Sequence, residues 1–113
     1  MKYLFLLYDN EDAWDAAPEK EREEVIGAYI AYSNALRQSD AFIAAEPLDH
    51  SKQGKRVKRT GVQNGPFADG KEQVGGFYLI KAKDLDEALD WEARCPCASF
   101  GHVEVRPVWN IGE

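Results

Sequence analysis

The chain has 113 residues, of which 44% are hydrophobic and 30% are charged, and its formal net charge at pH 7 is −6. This length fits one domain with one hydrophobic core, which we expect to span residues 1–113. The apolar content excludes a disordered chain, and the negative charge argues against a nucleic-acid-binding protein, because phosphate contacts need positive surface. No stretch approaches the roughly 18 consecutive apolar residues of a membrane helix, so no membrane association is expected.

The N-terminal segment carries an apolar run, Tyr3–Tyr8, which polar residues follow at once. It has no small-residue cleavage site, so it predicts a first strand rather than a secretory signal peptide, and the protein is expected to be cytoplasmic. Because the run is apolar on both faces, it is typical of a central strand.

The next segment predicts a loop over Asp9–Ala17 and then a long helix. Pro18 suits the first helical turn, and the glutamates that follow it favour a helix start. Apolar residues then recur at helical spacing to about Gln38. They are Val25, Tyr29, Tyr32 and Leu36, with Ile26 and Ile30 widening the stripe.

The remaining predicted elements are four strands and a second helix. The strands are Ala41–Ala45, which Pro47 ends, the polar Arg56–Thr60, the central Val74–Ala82, and Val103–Val108, in which Pro107 favours an edge strand or a strand end. The helix begins at Asp84, which forms a capping box with Glu87, and Pro96 marks its end.

This order of elements predicts an α+β fold, with a mostly antiparallel sheet and two main helices on one face. Two helices cover only one face of a sheet, yet Tyr3–Tyr8 and Phe77–Ile80 are apolar on both faces. A second copy of the chain is the simplest cover for the other face, so we expect a homodimer.

The segment from Gln63 to Ile80 combines turn residues, an aromatic residue, a Lys-Glu pair and a glycine doublet ahead of an apolar strand. It closely resembles the signature of the DGPF group of the YCII-related family, Asp-Gly-Pro-Phe-Ala-Glu-Thr-Lys-Glu followed by Gly-Gly-Phe. The resemblance extends from the Lys-Tyr-Leu start to the Val-Glu-Val-Arg-Pro-Val ending. It implies a ferredoxin-like fold of the dimeric α/β-barrel type.

Three residues depart from that signature. Asn64 stands where the group has Asp, Asp69 where it has Glu, and Gly70 where it has Thr. An amide cannot act as a general base or as an anionic metal ligand. Any family chemistry that needs the Asp is therefore lost here or performed differently.

Two carboxylates are candidate catalytic residues. Glu46 follows Phe42 and Ala44 at period two and so shares their face; partial burial at a strand end would raise its pKa toward neutrality. The alternative is an exposed strand-end residue. Glu72, with Lys71 beside it, either lines a pocket or forms an ordinary ion pair on a turn.

The candidate ligand-binding residues are Asn64, Phe67 and Lys71. Phe67 either walls a small-molecule pocket or folds back on the core. The basic run Lys52–Arg59 is either a patch for an anionic ligand or a charged edge strand that blocks sheet pairing, and the overall acidity favours the second interpretation.

The histidines and cysteines offer further chemistry. His50 and His102 could join carboxylates in a metal site or an acid-base pair, but their spacing matches no metal-binding motif. Cys95 and Cys97 are predicted to be free thiols, because a Cys-X-Cys disulfide would be strained. We therefore expect no metal and no cofactor.

Two functions stay open. The first is small-molecule binding in a cleft between the sheet and the central loop, with cofactor-independent acid-base catalysis. The second is a non-catalytic dimeric interaction domain, linked to transcription regulation. That idea rests on the occurrence of family members beside sigma factors, and Asn64 in place of Asp favours it.

Overall fold

The structure is a computed structural model that describes residues 1–68 and 70–112. Four antiparallel strands form the main sheet in the order β2-β5-β1-β6. Their bounds are β1 Lys2–Asn10, β2 Phe42–Pro47, β5 Glu72–Lys81 and β6 His102–Pro107. Strands β3, Lys55–Lys58, and β4, Gly61–Asn64, form a separate hairpin.

The helices are α1, Glu11–Ala16, α2, Glu19–Gln38, and α3, Leu85–Arg94. Side chains from α2 and α3 pack on one face of the sheet. Every second residue of β1 and β5 points to this face. The core they form includes Tyr3, Phe5, Leu7, Tyr32, Leu36, Tyr78, Ile80, Ala88 and Trp91. The predicted α+β fold, with two main helices on one face, is confirmed.

The opposite face of the sheet carries the half-buried side chains Leu4, Leu6, Phe77 and Leu79. We call it the open face. In the register of the sheet Leu4 pairs with Leu79 and Leu6 pairs with Phe77, so these four residues form one apolar surface.

Several predicted element boundaries are close to the observed ones. In α3 the Asp84 side chain accepts a hydrogen bond from the Glu87 amide, as the capping box predicted. Strand β6, which contains Pro107, lies at a sheet edge, where a residue without an amide hydrogen is tolerated.

Other predictions were wrong. The Asp9–Ala17 segment is not a loop, because Asp9 and Asn10 end β1 and α1 follows directly, with the Asn10 side chain accepting from the Ala13 amide. The α2 stripe is narrower than predicted, since Ile26 and Ile30 are 50% and 58% exposed. Strand β4 was not predicted.

A register shift in β2 corrects the face assigned to Glu46. Phe42 pairs with Ile80 on the helix side, whereas Ala44 pairs with Leu79 on the open face. The extra residue between them reverses the alternation. Glu46 therefore shares a face with Ala44 but not with Phe42.

Among the described residues, none of the helices has both the length and the apolar character needed to span a bilayer.

Candidate functional site

Titratable side chains gather at the end of the sheet where β1 ends and β5 and β6 begin. On the open face, the imidazole of His102 stacks on the ring of Tyr8, with centroids 4.5 Å apart and planes within 7°. Its Nδ1 lies 3.1 Å from Oε2 of Glu72. The stacking fixes the plane of the imidazole, so one ring nitrogen is directed at the carboxylate.

Asp9 lies at the same end of the sheet, in cross-strand register with the buried residue Gln73. Its carboxyl is half-buried. Burial raises the pKa of this carboxyl above its ordinary value, and the nearby charges of Glu11 and Glu72 raise it further. A carboxyl of this kind holds its proton closer to neutral pH than an ordinary aspartate does.

A cavity of about 340 Å³ opens beside Asp9. Its walls are mainly apolar, with Trp14 from α1, Val25 from α2 and Phe100 from the turn before β6; Arg22 adds a cationic side chain. An apolar cavity with a few convergent polar groups is the usual form of a small-molecule site.

A second cavity, of about 620 Å³, runs along α2 and the segment after α3. It is a more open groove with alanine-rich walls, and no carboxylate or imidazole lines it. We favour the smaller cavity as the site, because Asp9 lines it and its walls are more enclosing.

The two cysteines are free thiols and both are buried. Burial raises the pKa of Cys97 to about 11 and that of Cys95 to about 12. The Cys97 thiol also donates to the backbone oxygen of Tyr8, 3.3 Å away. Nearly all of each thiol stays protonated at neutral pH, so neither cysteine is a competent nucleophile there.

The structure separates the two predicted catalytic carboxylates. Glu72 joins His102 at the site end of the sheet. Glu46 lies on edge strand β2 opposite Phe77, with its side chain on the open face and exposed to solvent.

The predicted ligand-binding residues lie on or after the β3–β4 hairpin. Asn64 accepts a hydrogen bond from the Lys55 ammonium at 2.9 Å. The guanidinium of Arg56 lies 4.2 Å above the Phe67 ring. Lys71 is exposed just before β5, and Asp69 lies outside the described residues. None of Asn64, Phe67 and Lys71 lines the cavity beside Asp9.

Sequence reasoning missed Asp9 and Trp14. A signal for Asp9 was present, because it is the first carboxylate after the apolar run Tyr3–Tyr8, and a charged residue at the end of a buried strand is desolvated. Trp14 was an isolated aromatic residue in a supposed loop. Only the helical conformation of α1 directs it to the cavity.

Comparisons with known proteins agree on one family. The family model for the YCII-related domain matches residues 1–112 of this chain. An uncharacterised protein of Rhizobium meliloti (strain 1021) is 35% identical over 119 residues, which cover 96% of this chain and 92% of that protein.

One similar solved structure is the 5-chloro-2-hydroxyhydroquinone dehydrochlorinase TftG of Burkholderia phenoliruptrix AC1100, in complex with 2,5-dihydroxybenzoquinone. The match has a TM-score of 0.58 and 19% identity, and it covers 99% of this chain and 96% of that one. At this identity the likeness shows a shared fold.

Proposed function

Since the chain belongs to the YCII-related family, we propose that it binds a small, largely apolar molecule beside Asp9 and catalyses proton transfer without a cofactor. The observation that carries this proposal is the half-buried carboxyl of Asp9, whose pKa is raised, at the wall of an apolar cavity. Such a carboxyl can hold a proton for donation or accept one from a bound ligand near neutral pH.

The walls of the cavity account for binding and orientation. Trp14 and Phe100 offer flat aromatic surfaces, and Val25 adds aliphatic surface between α2 and the sheet. A planar ligand that fills about 340 Å³ would displace water from the Asp9 carboxyl. Loss of that water disfavours the charged form further, so Asp9 stays protonated to a higher pH in the complex and can serve as the proton donor.

Glu72 is proposed as a positioning residue that acts through Asp9. Its negative charge is one of the causes of the raised pKa of Asp9. His102, 3.1 Å from Glu72, adds positive charge beside it when protonated and so weakens this effect.

The solved relative supports the ligand class by analogy. Its name describes a dehydrochlorinase of a hydroxyhydroquinone, and its bound ligand is a dihydroxybenzoquinone. A planar hydroxylated ring of that kind is compatible with the aromatic walls here. We therefore propose hydroxylated aromatic rings as the first compounds to test.

The test is a screen of such rings for turnover, followed by pH–rate profiles of two variants. Asp9→Asn should abolish turnover while binding persists, because Asn cannot transfer a proton. Glu72→Gln should retain turnover and move the limb of the profile that Asp9 controls to lower pH: the alkaline limb if Asp9 donates the proton, the acidic limb if it accepts one. If Asp9→Asn keeps full activity and Glu46→Gln loses it, the proton transfer belongs to the open face and the assignment to Asp9 is wrong.

We also propose that two copies of the chain pair through the open face. Leu4, Leu6, Phe77 and Leu79 form an apolar surface there that no helix of the described chain covers. We expect an obligate-type interface, which usually buries roughly 2,000 Å² or more in total. Sedimentation equilibrium should show a dimer at micromolar concentration, and Phe77→Glu should convert it to monomer. A monomeric wild type would refute this proposal.

One observation favours the interaction-domain alternative. Besides the half-exposed Ile26 and Ile30 on α2, the C-terminal segment carries Trp109 and Ile111 at 84% and 66% exposure, and exposed apolar groups of this kind occur at protein interfaces. If no ligand binds beside Asp9, the role of a non-catalytic interaction domain becomes the favoured one.

A cytoplasmic location and membership of the DGPF group are finer proposals. The two cysteine thiols support a reducing compartment. The motif between Asn64 and Glu72 supports the group. Cell fractionation tests the location, and recovery of the protein outside the cytoplasm would reject it.

A further inference from the structure

A cluster of potential metal ligands lies beside α1, outside the cavity described above. Asp12 and Asp15 are three residues apart on α1 and so share a helix face. His50 approaches them from the turn before β3. One ligand atom from each of the three residues lies within 4.8 Å of the other two. Neither aspartate lines the cavity, whereas Ala13 and Trp14 of the same helix do.

The imidazole of His50 is held in place from both sides. Its Nδ1 accepts a hydrogen bond from the Lys52 amide at 3.2 Å and lies 3.7 Å from a carboxylate oxygen of Glu11. Its Nε2 lies 3.9 Å from Oδ2 of Asp15. The ring therefore presents Nε2 to the aspartates.

Glu11 is itself fixed. Its carboxylate accepts hydrogen bonds from the Ser51 amide at 2.6 Å and from the Ser51 hydroxyl at 2.5 Å. A metal-bound imidazole usually donates its other ring N–H to a carboxylate. Glu11, whose Oε1 lies 3.7 Å from Nδ1, is the carboxylate placed to accept that proton once the Lys52 amide no longer donates to Nδ1.

The charge of the cluster is unbalanced. Glu11, Asp12 and Asp15 meet a single imidazole, so the local charge stays negative even when His50 is protonated. Among residues 1–68 and 70–112, no Lys or Arg nitrogen lies within 4.0 Å of these three carboxylates. A divalent cation would offset two of these three negative charges.

We propose that Asp12, Asp15 and His50 bind a first-row divalent transition metal, through one oxygen of each aspartate and Nε2 of the histidine. Mixed carboxylate and imidazole donors suit Zn²⁺ and Mn²⁺, and three protein ligands leave further positions for water. On binding, the imidazole proton lies on Nδ1, facing Glu11, so the Lys52 amide loses its acceptor. No net proton is released from the neutral imidazole.

The metal would fasten α1 to the turn that carries His50 and Ser51. Helix α1 has six residues and contributes Trp14 to the cavity wall. A helix this short has little stability of its own. The metal would therefore have a structural role. This proposal does not depend on whether the cavity is a catalytic site.

The spacing of the histidines gave no sign of this site, because its ligands come from two segments far apart in the chain. The fold brings them together by extending β1 to Asn10 and starting α1 directly after it. A sequence search for closely spaced ligands cannot find such a cluster.

The experiment uses the full chain freed of any histidine tag and of metal. Calorimetric titration with Zn²⁺ and Mn²⁺ should show one equivalent bound, and Co²⁺ should give visible absorption bands that indicate a nitrogen ligand. His50→Gln, Asp12→Asn and Asp15→Asn should each weaken binding at least tenfold, because loss of even a residue that only supports a metal ligand typically costs roughly 10- to 100-fold. His102→Gln is the matched control and should bind as the wild type does.

The thermal midpoint provides a second measurement. Zn²⁺ should raise it in the wild type and in His102→Gln but not in Asp15→Asn, because a ligand that binds the folded state alone stabilises that state. The proposal is overturned if no saturable binding occurs, if His50→Gln binds as the wild type does, or if His102→Gln is the variant that loses the metal. Since Asp12 and Asp15 are exposed, their Asn variants should fold and keep the test decisive.

Discussion

The hydroxyl of Tyr32 donates a hydrogen bond of 2.7 Å to the backbone carbonyl oxygen of Trp91, and this bond joins α2 to α3 inside the core. The Trp91 carbonyl lies in the last turn of α3, where no amide further along the helix is available to it. The next amide, that of Cys95, donates to Glu92 instead. The Tyr32 hydroxyl therefore provides the hydrogen bond that this buried carbonyl does not receive from the helix itself.

Tyr32→Phe should destabilise the protein by about 1–2 kcal/mol, because the buried carbonyl loses its partner while the ring keeps its packing. Tyr3→Phe is a matched control. Tyr3 is also buried, but within residues 1–68 and 70–112 the sole hydrogen-bond partner of its hydroxyl is the Met1 sulfur, at 3.8 Å. Urea unfolding should show a clearly larger loss for Tyr32→Phe, and equal losses would contradict this account.

Two glycine-to-alanine changes should act in opposite directions. A Cβ at Gly101 would overlap the backbone oxygen of Tyr8, so either β1 or the start of β6 must move. We expect Gly101→Ala to cost about 2 kcal/mol or more. A Cβ at Gly27, within α2, meets nothing within 4 Å. Gly27→Ala should stabilise by about 0.5–1 kcal/mol. Thermal unfolding of both variants tests the pair, and a stabilising Gly101→Ala would disprove the close approach.

The free energy of unfolding should decrease as the pH rises through the range in which Asp9 loses its proton. Its pKa in the folded state is raised above its ordinary value of 3.8. The folded state therefore binds its proton more tightly than the unfolded state does. This contribution to stability is fully present below pH 3.8 and is lost as the pH rises through the folded-state pKa.

Asp9→Asn removes that dependence. The variant should unfold at a higher temperature than the wild type at pH 7, because it buries no charge at this position. The difference should shrink as the pH falls toward the ordinary pKa of aspartate. Unfolding curves across this pH range test the prediction, and a difference that grows at low pH would contradict it.

The thiols of Cys95 and Cys97 should be inert in the folded protein. Their pKa values, about 12 and about 11, and their burial leave almost no accessible thiolate at pH 7. Alkylation by iodoacetamide at neutral pH should therefore be slow and should become fast in denaturant. Rapid labelling of either thiol under native conditions would show that the segment after α3 opens.

The sequence predicted the elements whose signals are local. The start of α3 was predictable because Asp84 and Glu87 are close in the chain. An edge position was one of two predicted for β6, because Pro107 lacks an amide hydrogen. The site depended on more distant relationships. Asp9 is a candidate site residue because α1 and Phe100 enclose it in the folded chain. No local sequence pattern predicts that enclosure. The face of Glu46 was misjudged because an extra residue in β2 leaves no clear mark in composition.

The bulge at Gly75 decides which side chains the site end of the sheet presents on each face. Leu7 pairs with Gly76 and Tyr8 with Val74, so one residue of β5 is passed over. Beyond it, Glu72 lies on the face of Tyr8, and Gln73 lies on the face of Asp9. Without the bulge these two side chains would exchange faces. A single-residue insertion or deletion here would therefore reverse the faces of the residues before the bulge. Glu72 would turn away from His102, whereas the apolar pairs between β1 and the rest of β5 would stay as they are.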